Sequence, residues 1–263
     1  MTIKGLSLFI GTSFISALSL AQPTFLTELN TGDTWVKTQY TKLSSEFNYA
    51  DDFGVDENTD VNMFNFNVIT ASDLNHSFTP VMAFSLDRFS ENKESIAIKT
   101  AALGGLFNLD GNRQGLFTMS YAKSNKKYYI RDAISARLAF EMSETDNPIR
   151  NELSIGGTYN KKFSGASGGH SFALNNKTKL PFSTKLDLVL DLGVLFITDK
   201  KYSYATNTSY DPSFTYGGEL NIHPSKNLSL QFRMENTSLD SKSSDDSVKQ
   251  TSRQTAVALI ARF

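Results

Sequence analysis

The sequence predicts an all-β chain that closes into an antiparallel, up-and-down transmembrane barrel of about 12 strands, with ten as the even alternative. Three observations carry this expectation. Apolar residues recur at every second position in segments of roughly ten residues, the period of a strand with two unlike faces. Compact connections alternate along the chain with long polar ones, the asymmetry of a barrel with turns at one end and loops at the other. After residue 21 no stretch is long and apolar enough to cross a bilayer as a helix, although the chain opens like an exported protein.

That opening is Lys4 followed by an apolar run from Leu6 to Leu20, with small residues at Ser19 and Ala21. The pattern predicts a secretory signal peptide over 1–21, cleaved before Gln22, and a single barrel domain over 22–263. A membrane anchor is the weaker reading, because the run falls short of the roughly 20 residues a helix needs to span.

The elements then follow in order. The first, 34 to 42, contains Trp35-Val36-Lys37 and can be phased either way. The second, 60 to 70, alternates Phe64, Phe66 and Val68 with Asn65 and Asn67; the third, 77 to 88, sets Met82, Phe84 and Leu86 against Ala83, Ser85 and Asp87. Segments 95 to 107 and 114 to 123 precede the sixth, 132 to 142, where Ile134, Ala136, Leu138, Phe140 and Met142 alternate with Ser135, Arg137, Ala139 and Glu141. The seventh, 151 to 161, is followed by 170 to 180, which is polar on both faces from Asn175 to Lys179. The ninth, 184 to 197, is the cleanest, with Leu186, Leu188, Leu190, Leu192, Val194 and Phe196 on one face. Segments 212 to 222, 226 to 236 and 252 to 263 complete the set. Apolar faces tend to end in aromatics, among them Phe64, Phe78, Tyr121, Phe140, Tyr159, Phe172, Phe196 and Phe214, as interfacial girdles do.

Short connections are expected at 71–76, 108–113, 143–150, 181–183 and 223–225, and long ones at Leu43 to Thr59, Thr198 to Asp211 and Thr237 to Thr251. A soluble exported β-sandwich is the competing fold. It would favour shorter strands and more than six prolines, whereas strands of ten or more residues suit a tilted crossing of the hydrocarbon layer.

At the C-terminus Thr255, Val257, Leu259, Ala261 and Phe263 share one face, with Ala256, Ala258, Ile260 and Arg262 between them. This resembles the terminal strand signal of bacterial outer-membrane β-barrel proteins. The resemblance implies residence in the outer membrane, with short turns in the periplasm and long loops outside. It also implies membrane lipid as surroundings, and recognition of Val257, Leu259, Ala261 and Phe263 by the barrel-assembly machinery after delivery by periplasmic chaperones.

Composition excludes several functions. With 26 basic against 27 acidic residues there is no cationic excess for a nucleic-acid partner. Without cysteine there is neither a disulfide scaffold nor a thiolate metal site. Only His76, His170 and His223 could serve as imidazole bases. His76 and His223 fall in expected turns, and His170 and Ser171, as strand neighbours, point to opposite faces. The sequence therefore suggests no enzyme, no cofactor and no metal.

If the apolar face meets lipid, the other face lines a lumen. Its expected cations are Lys37, Lys99, Arg137, Lys177, Lys179, Lys185, Arg233 and Arg262; its expected anions are Asp87, Glu141, Glu152, Asp187, Asp191, Glu219 and Glu235. Such a balance predicts pairing across neighbouring strands rather than a ring of one sign. The functional expectation is a small passive, porin-like channel for small solutes. The alternatives are a structural or surface-interaction barrel, acting through loops such as the acidic Leu43 to Thr59, and an autotransporter-like barrel without passenger.

Overall fold

The computed structural model describes residues 29–30, 32–49, 57–72, 78–91, 94–109, 113–125, 132–143, 147–161, 169–197, 209–242 and 247–263. The expected signal peptide and His76 lie outside the described residues. The strands are β1 (Thr34–Tyr49), β2 (Glu57–Ala71), β3 (Phe78–Glu91), β4 (Glu94–Asn108), β5 (Gln114–Ser124), β6 (Ala133–Glu141) and β7 (Arg150–Asn160). They continue with β8 (Gly169–Ser183), β9 (Leu186–Ile197), the two-residue β10 (Ser209–Tyr210), β11 (Ser213–Ser225), β12 (Leu228–Lys242) and β13 (Ser247–Arg262).

Each long strand pairs antiparallel with its neighbours in the chain, and β13 pairs with β1 from Trp35↔Arg262 to Tyr49↔Val248. The result is a closed 12-strand barrel, with β10 a short addition to the rim of β12. Closure leaves no unpaired edge, the only sheet that survives in a medium without water. The seam ends where Thr34 and Phe263 exchange both backbone hydrogen bonds, at 3.1 and 2.9 Å.

Alternation then turns the chain inside out. Leu103 and Leu192 are 66 % and 61 % exposed on the outer wall, whereas the inward Ile96 and Ile98 are 0 % and 1 % exposed. An outer wall of leucine and phenylalanine is stable only against lipid. Small residues on this wall are covered by aromatics: a Cβ at Gly105 would fall 2.0 Å from the Phe78 ring, and one at Gly115 2.3 Å from the Phe107 ring. Each ring lies flat over a glycine on the neighbouring strand and shields its backbone.

All twelve expected segments are strands, but two expected loops are not loops. Leu43 to Thr59 is largely strand, since β1 runs to Tyr49 and β2 begins at Glu57; Thr237 to Thr251 is likewise taken up by β12 and β13. Beyond the bilayer the outer face need not be apolar, so the period-two signal fades while the backbone ladder continues. Lys42 and Asp60, half-exposed on that outer face, form a salt bridge of 2.9 Å there. Trp35, ambiguous in phase, points inward and is 9 % exposed.

Candidate functional site: a lumen with two unlike walls

The inward residues divide the barrel lengthwise. On one side, the inward positions from Val61 to Ala71, Thr79 to Phe89, Ile96 to Leu106 and Leu116 to Ser124 carry a single ionisable side chain, Asp87. Two apolar clusters dominate this wall. One, at the end that bears the termini, joins Trp35, Ile69, Ala71, Val81, Leu106, Leu116, Ala139 and Ile260 around Leu29. The other joins Leu43, Val61, Met63, Phe89, Ile96, Ile98, Ala122 and Ala133. Between them lie the buried Asn65, Asn67, Ser85, Asp87 and Thr100. The Asn65 amide donates to Asp87, and the Asn67 amide to Asn65.

Leu29 reaches the first cluster because the chain reverses just before β1. The Asp33 N–H donates to the Asn30 carbonyl at 3.2 Å, the Asn30 N–H donates to Asp33 Oδ2 at 2.9 Å, and Gly32 has φ +87°. A side chain at Gly32 would be strained in that left-handed turn. Leu29 is thereby fully buried at the terminal end of the barrel.

The opposite wall, β6 to β12, is charged along its length. Arg137 and Glu152, 9 % and 4 % exposed, pair at 3.1 Å, and Arg150 pairs with Glu141 at 2.5 Å. Arg233 pairs with Asp191 at 3.1 Å and also with Glu235. Asp187 is the hub: it accepts from Lys179 at 3.2 Å and from the Asn221 amide at 2.8 Å, and His223 Nε2 lies 2.7 Å from it. The Gln231 amide donates to Asn221 at 3.2 Å, and Lys37 of β1 donates to Gln231 Oε1 at 2.5 Å. Register explains the hub, since Asn221 lies opposite both Asp187 and Gln231. In low dielectric these ions need partners, and the pairing supplies them at the expense of desolvation.

Of the expected lumen residues, Arg137, Glu141, Glu152, Lys177, Lys179, Asp187, Asp191, Glu219, Arg233 and Glu235 share this inner wall, and Lys37, Asp87 and Arg262 face the lumen from other strands. Two do not. Lys99 points outward: its neighbours Ile98 and Thr100 are buried inside, while Lys99 is exposed opposite Leu86 and Lys123. A cation inside an alternating segment suggests the lumenal face, yet the phase of the buried Ile96 and Ile98 puts Lys99 on the other. Lys185 sits exposed in the two-residue turn between β8 and β9, because β9 begins at Leu186. Val257 and Leu259 lie exposed on the outer wall, as does Phe263, and Ala261 shares their phase.

His223 was expected in a turn, but β11 runs on to Ser225 and carries it into the lumen. Its Nδ1 lies 2.7 Å from Ser229 Oγ, which completes a Ser229, His223, Asp187 string. Lys179 on the same Asp187 oxygen neutralises the carboxylate that would polarise the imidazole, so the string acts as a tie across three strands. Extending the parity of Glu219 and Asn221 by one more step finds His223, and that of Glu152 finds Arg150. His170 stands on the outer wall, its ring 4.9 Å from that of Tyr159. Among the described residues no group of His, Asp and Glu could hold a metal.

No protein-family model matches the chain, and no curated protein does. Solved structures do. The COG4313 outer membrane channel from Pseudomonas putida F1 superposes with TM-score 0.67 at 12 % identity, covering 92 % of this chain and 100 % of that one. A deltaS2 mutant of the TodX monoaromatic hydrocarbon channel gives TM-score 0.55 at 8 % identity, covering 89 % and 91 %. The translocator domain of autotransporter NalP from Neisseria meningitidis gives 0.53 at 14 %, covering 97 % and 95 %. At such identities the likeness is one of fold. The fold is that of the bacterial outer-membrane β-barrel, closed, antiparallel and twelve-stranded.

Proposed function

We propose that this barrel is a passive, porin-like channel for small solutes in the outer membrane, its termini and short turns in the periplasm and its tall strand ends outside. The observation that carries this reading is the charged inner wall of β6 to β12. It places fixed, paired ions along that wall, Asp187 with Lys179, Arg137 with Glu152 and Arg233 with Glu235. A barrel that only filled its interior would gain nothing from burying so many ions, since apolar replacements of the same volume are as stable or more so. Paired ions held at that cost give one side of the lumen a polar surface along which small solutes can pass. The segregated interior suits small solutes with one apolar and one polar side. That the likenesses include two channels is in keeping with this.

The test is conductance of the refolded protein in a planar bilayer under a salt gradient. Small conductance with weak ion selectivity is expected from the paired charges, and Leu29→Ala should raise the conductance by loosening the apolar end. Strong selectivity for one sign of ion would overturn the paired lumen, and absence of any conductance would overturn the channel.

A further inference from the structure

Arg88, Lys99 and Lys123 stand side by side on the outer wall, on β3, β4 and β5. Lys99 and Lys123 are directly opposite in the register, and Arg88 is one diagonal step away, since Leu86 pairs with Lys99 and Arg88 with Ala97. Directly opposite side chains on one face of a sheet start from Cβ atoms about 5 Å apart, and like charges there repel. A fourth cation closes the group: Lys161, just past β7, holds its Nζ 4.7 Å from the centre of the Tyr121 ring. All four are exposed.

Among the described residues no ion pair engages Arg88, Lys99 or Lys123. The nearby acid, Asp132, is 8 % exposed, accepts from the Tyr121 hydroxyl at 3.1 Å and the Ser124 N–H at 3.2 Å, and carries one negative charge against the group's four positive ones. Height on the wall decides what can neutralise the group. Arg88 is level with Phe64, and Lys99 and Lys123 lie one outward step beyond Tyr121, towards the end opposite the termini. Phe64 and Tyr121 belong to the aromatic girdle, which marks the membrane interface. Below the cations, Phe84, Ala101, Leu103 and Met119 continue as an apolar track. Cations above, girdle between and hydrocarbon surface below match one amphiphile.

We infer that Arg88, Lys99, Lys123 and Lys161 form a binding site on the outer wall for a phosphate-bearing membrane lipid, its headgroup among the four cations and its acyl chains along β3 to β5. Lysine and arginine at such a height each contribute to anionic-lipid attachment, and a phosphate offers several acceptor oxygens to share among them. The inference rests on the barrel fold and not on the channel reading.

The mature chain, refolded in detergent, is titrated with dimyristoyl phosphatidylglycerol or dimyristoyl phosphatidylcholine, and bound lipid is counted by native mass spectrometry. Wild type should retain the anionic lipid preferentially, and the K99Q/K123Q double variant should bind it about 25-fold more weakly, at roughly fivefold per cation. K99R/K123R should keep the preference, as should K249Q on β13, far from the group. Folding of each variant is checked by its heat-dependent electrophoretic mobility. Equal binding of the two lipids by wild type, or an undiminished preference in K99Q/K123Q, overturns the site. Full displacement of the lipid by inorganic phosphate at the same phosphate concentration overturns the assignment to a lipid.

Discussion

The two walls of the lumen are built by strands of the same period and pairing, yet one buries leucine, isoleucine and small residues and the other buries ions. On β2 to β5 the inward positions pack against one another at both ends, and Ile96 and Ile98 are as buried as the core of a soluble protein. On β6 to β12 the same positions hold salt bridges whose partners come from adjacent strands or, for Arg233 and Asp191, from the two strands that flank β11. A sum of charges over the whole interior hides this, because it is close to balance while the charges are gathered on one side. Neutrality overall therefore does not imply a uniform lumen. The first wall owes its rigidity to burial, about 1.5–3 kcal/mol for each large apolar side chain. The second owes its to mutual neutralisation, which fails where a buried ion loses its ion-pair partner and has no second one.

The sharpest way to break the contrast is to remove one member of a buried pair. Arg137→Ala leaves Glu152 buried without its cation and should destabilise the refolded barrel by about 3–5 kcal/mol, read from urea unfolding. The double variant R137L/E152L should recover most of that loss. Next in size, Leu190→Arg on the outer wall at mid-strand should cost about 2–4 kcal/mol in lipid. The same assay on Asp191→Asn should show no shift of the midpoint, since Arg233 keeps Glu235 as a partner. Spin labels at 188 and 190 sharpen the comparison by reporting lipid, where a water-filled or packed environment would count against the outer assignment.

The smallest effect on stability is expected at the seam. Deleting Phe263 removes one aromatic worth about 1.5–3 kcal/mol and two backbone hydrogen bonds to Thr34, so refolding into detergent should be little changed. Its effect on assembly should be far larger: outer-membrane levels in the cell should fall sharply, the outcome expected of the recognition role that the C-terminal resemblance implies. Normal levels without Phe263 would remove that role.

The amino-acid sequence alone determined the strands, their number and most of their phases, because a membrane barrel writes its architecture into a local period of two. Leu186 to Phe196 and Thr255 to Phe263 are legible without any neighbour. It also determined thirteen of the inward charges, all of those expected except Lys99 and Lys185, since parity carries them wherever the apolar face is unambiguous. What only the tertiary structure decided depends on partners distant in the chain. Trp35 and Lys99 take their faces from the ladders with β2, β13, β3 and β5, which weigh more than the charge or size of one side chain. The tall ends of β1, β2, β12 and β13 exist because each supplies the other's hydrogen bonds, and a polar segment carries no period to announce that. His223 joins Asp187 and Ser229 through register across three strands, and the division of the lumen into two walls appears only once closure brings β13 beside β1. Local periodicity fixes which way a side chain points; only pairing across the sheet fixes what it meets there.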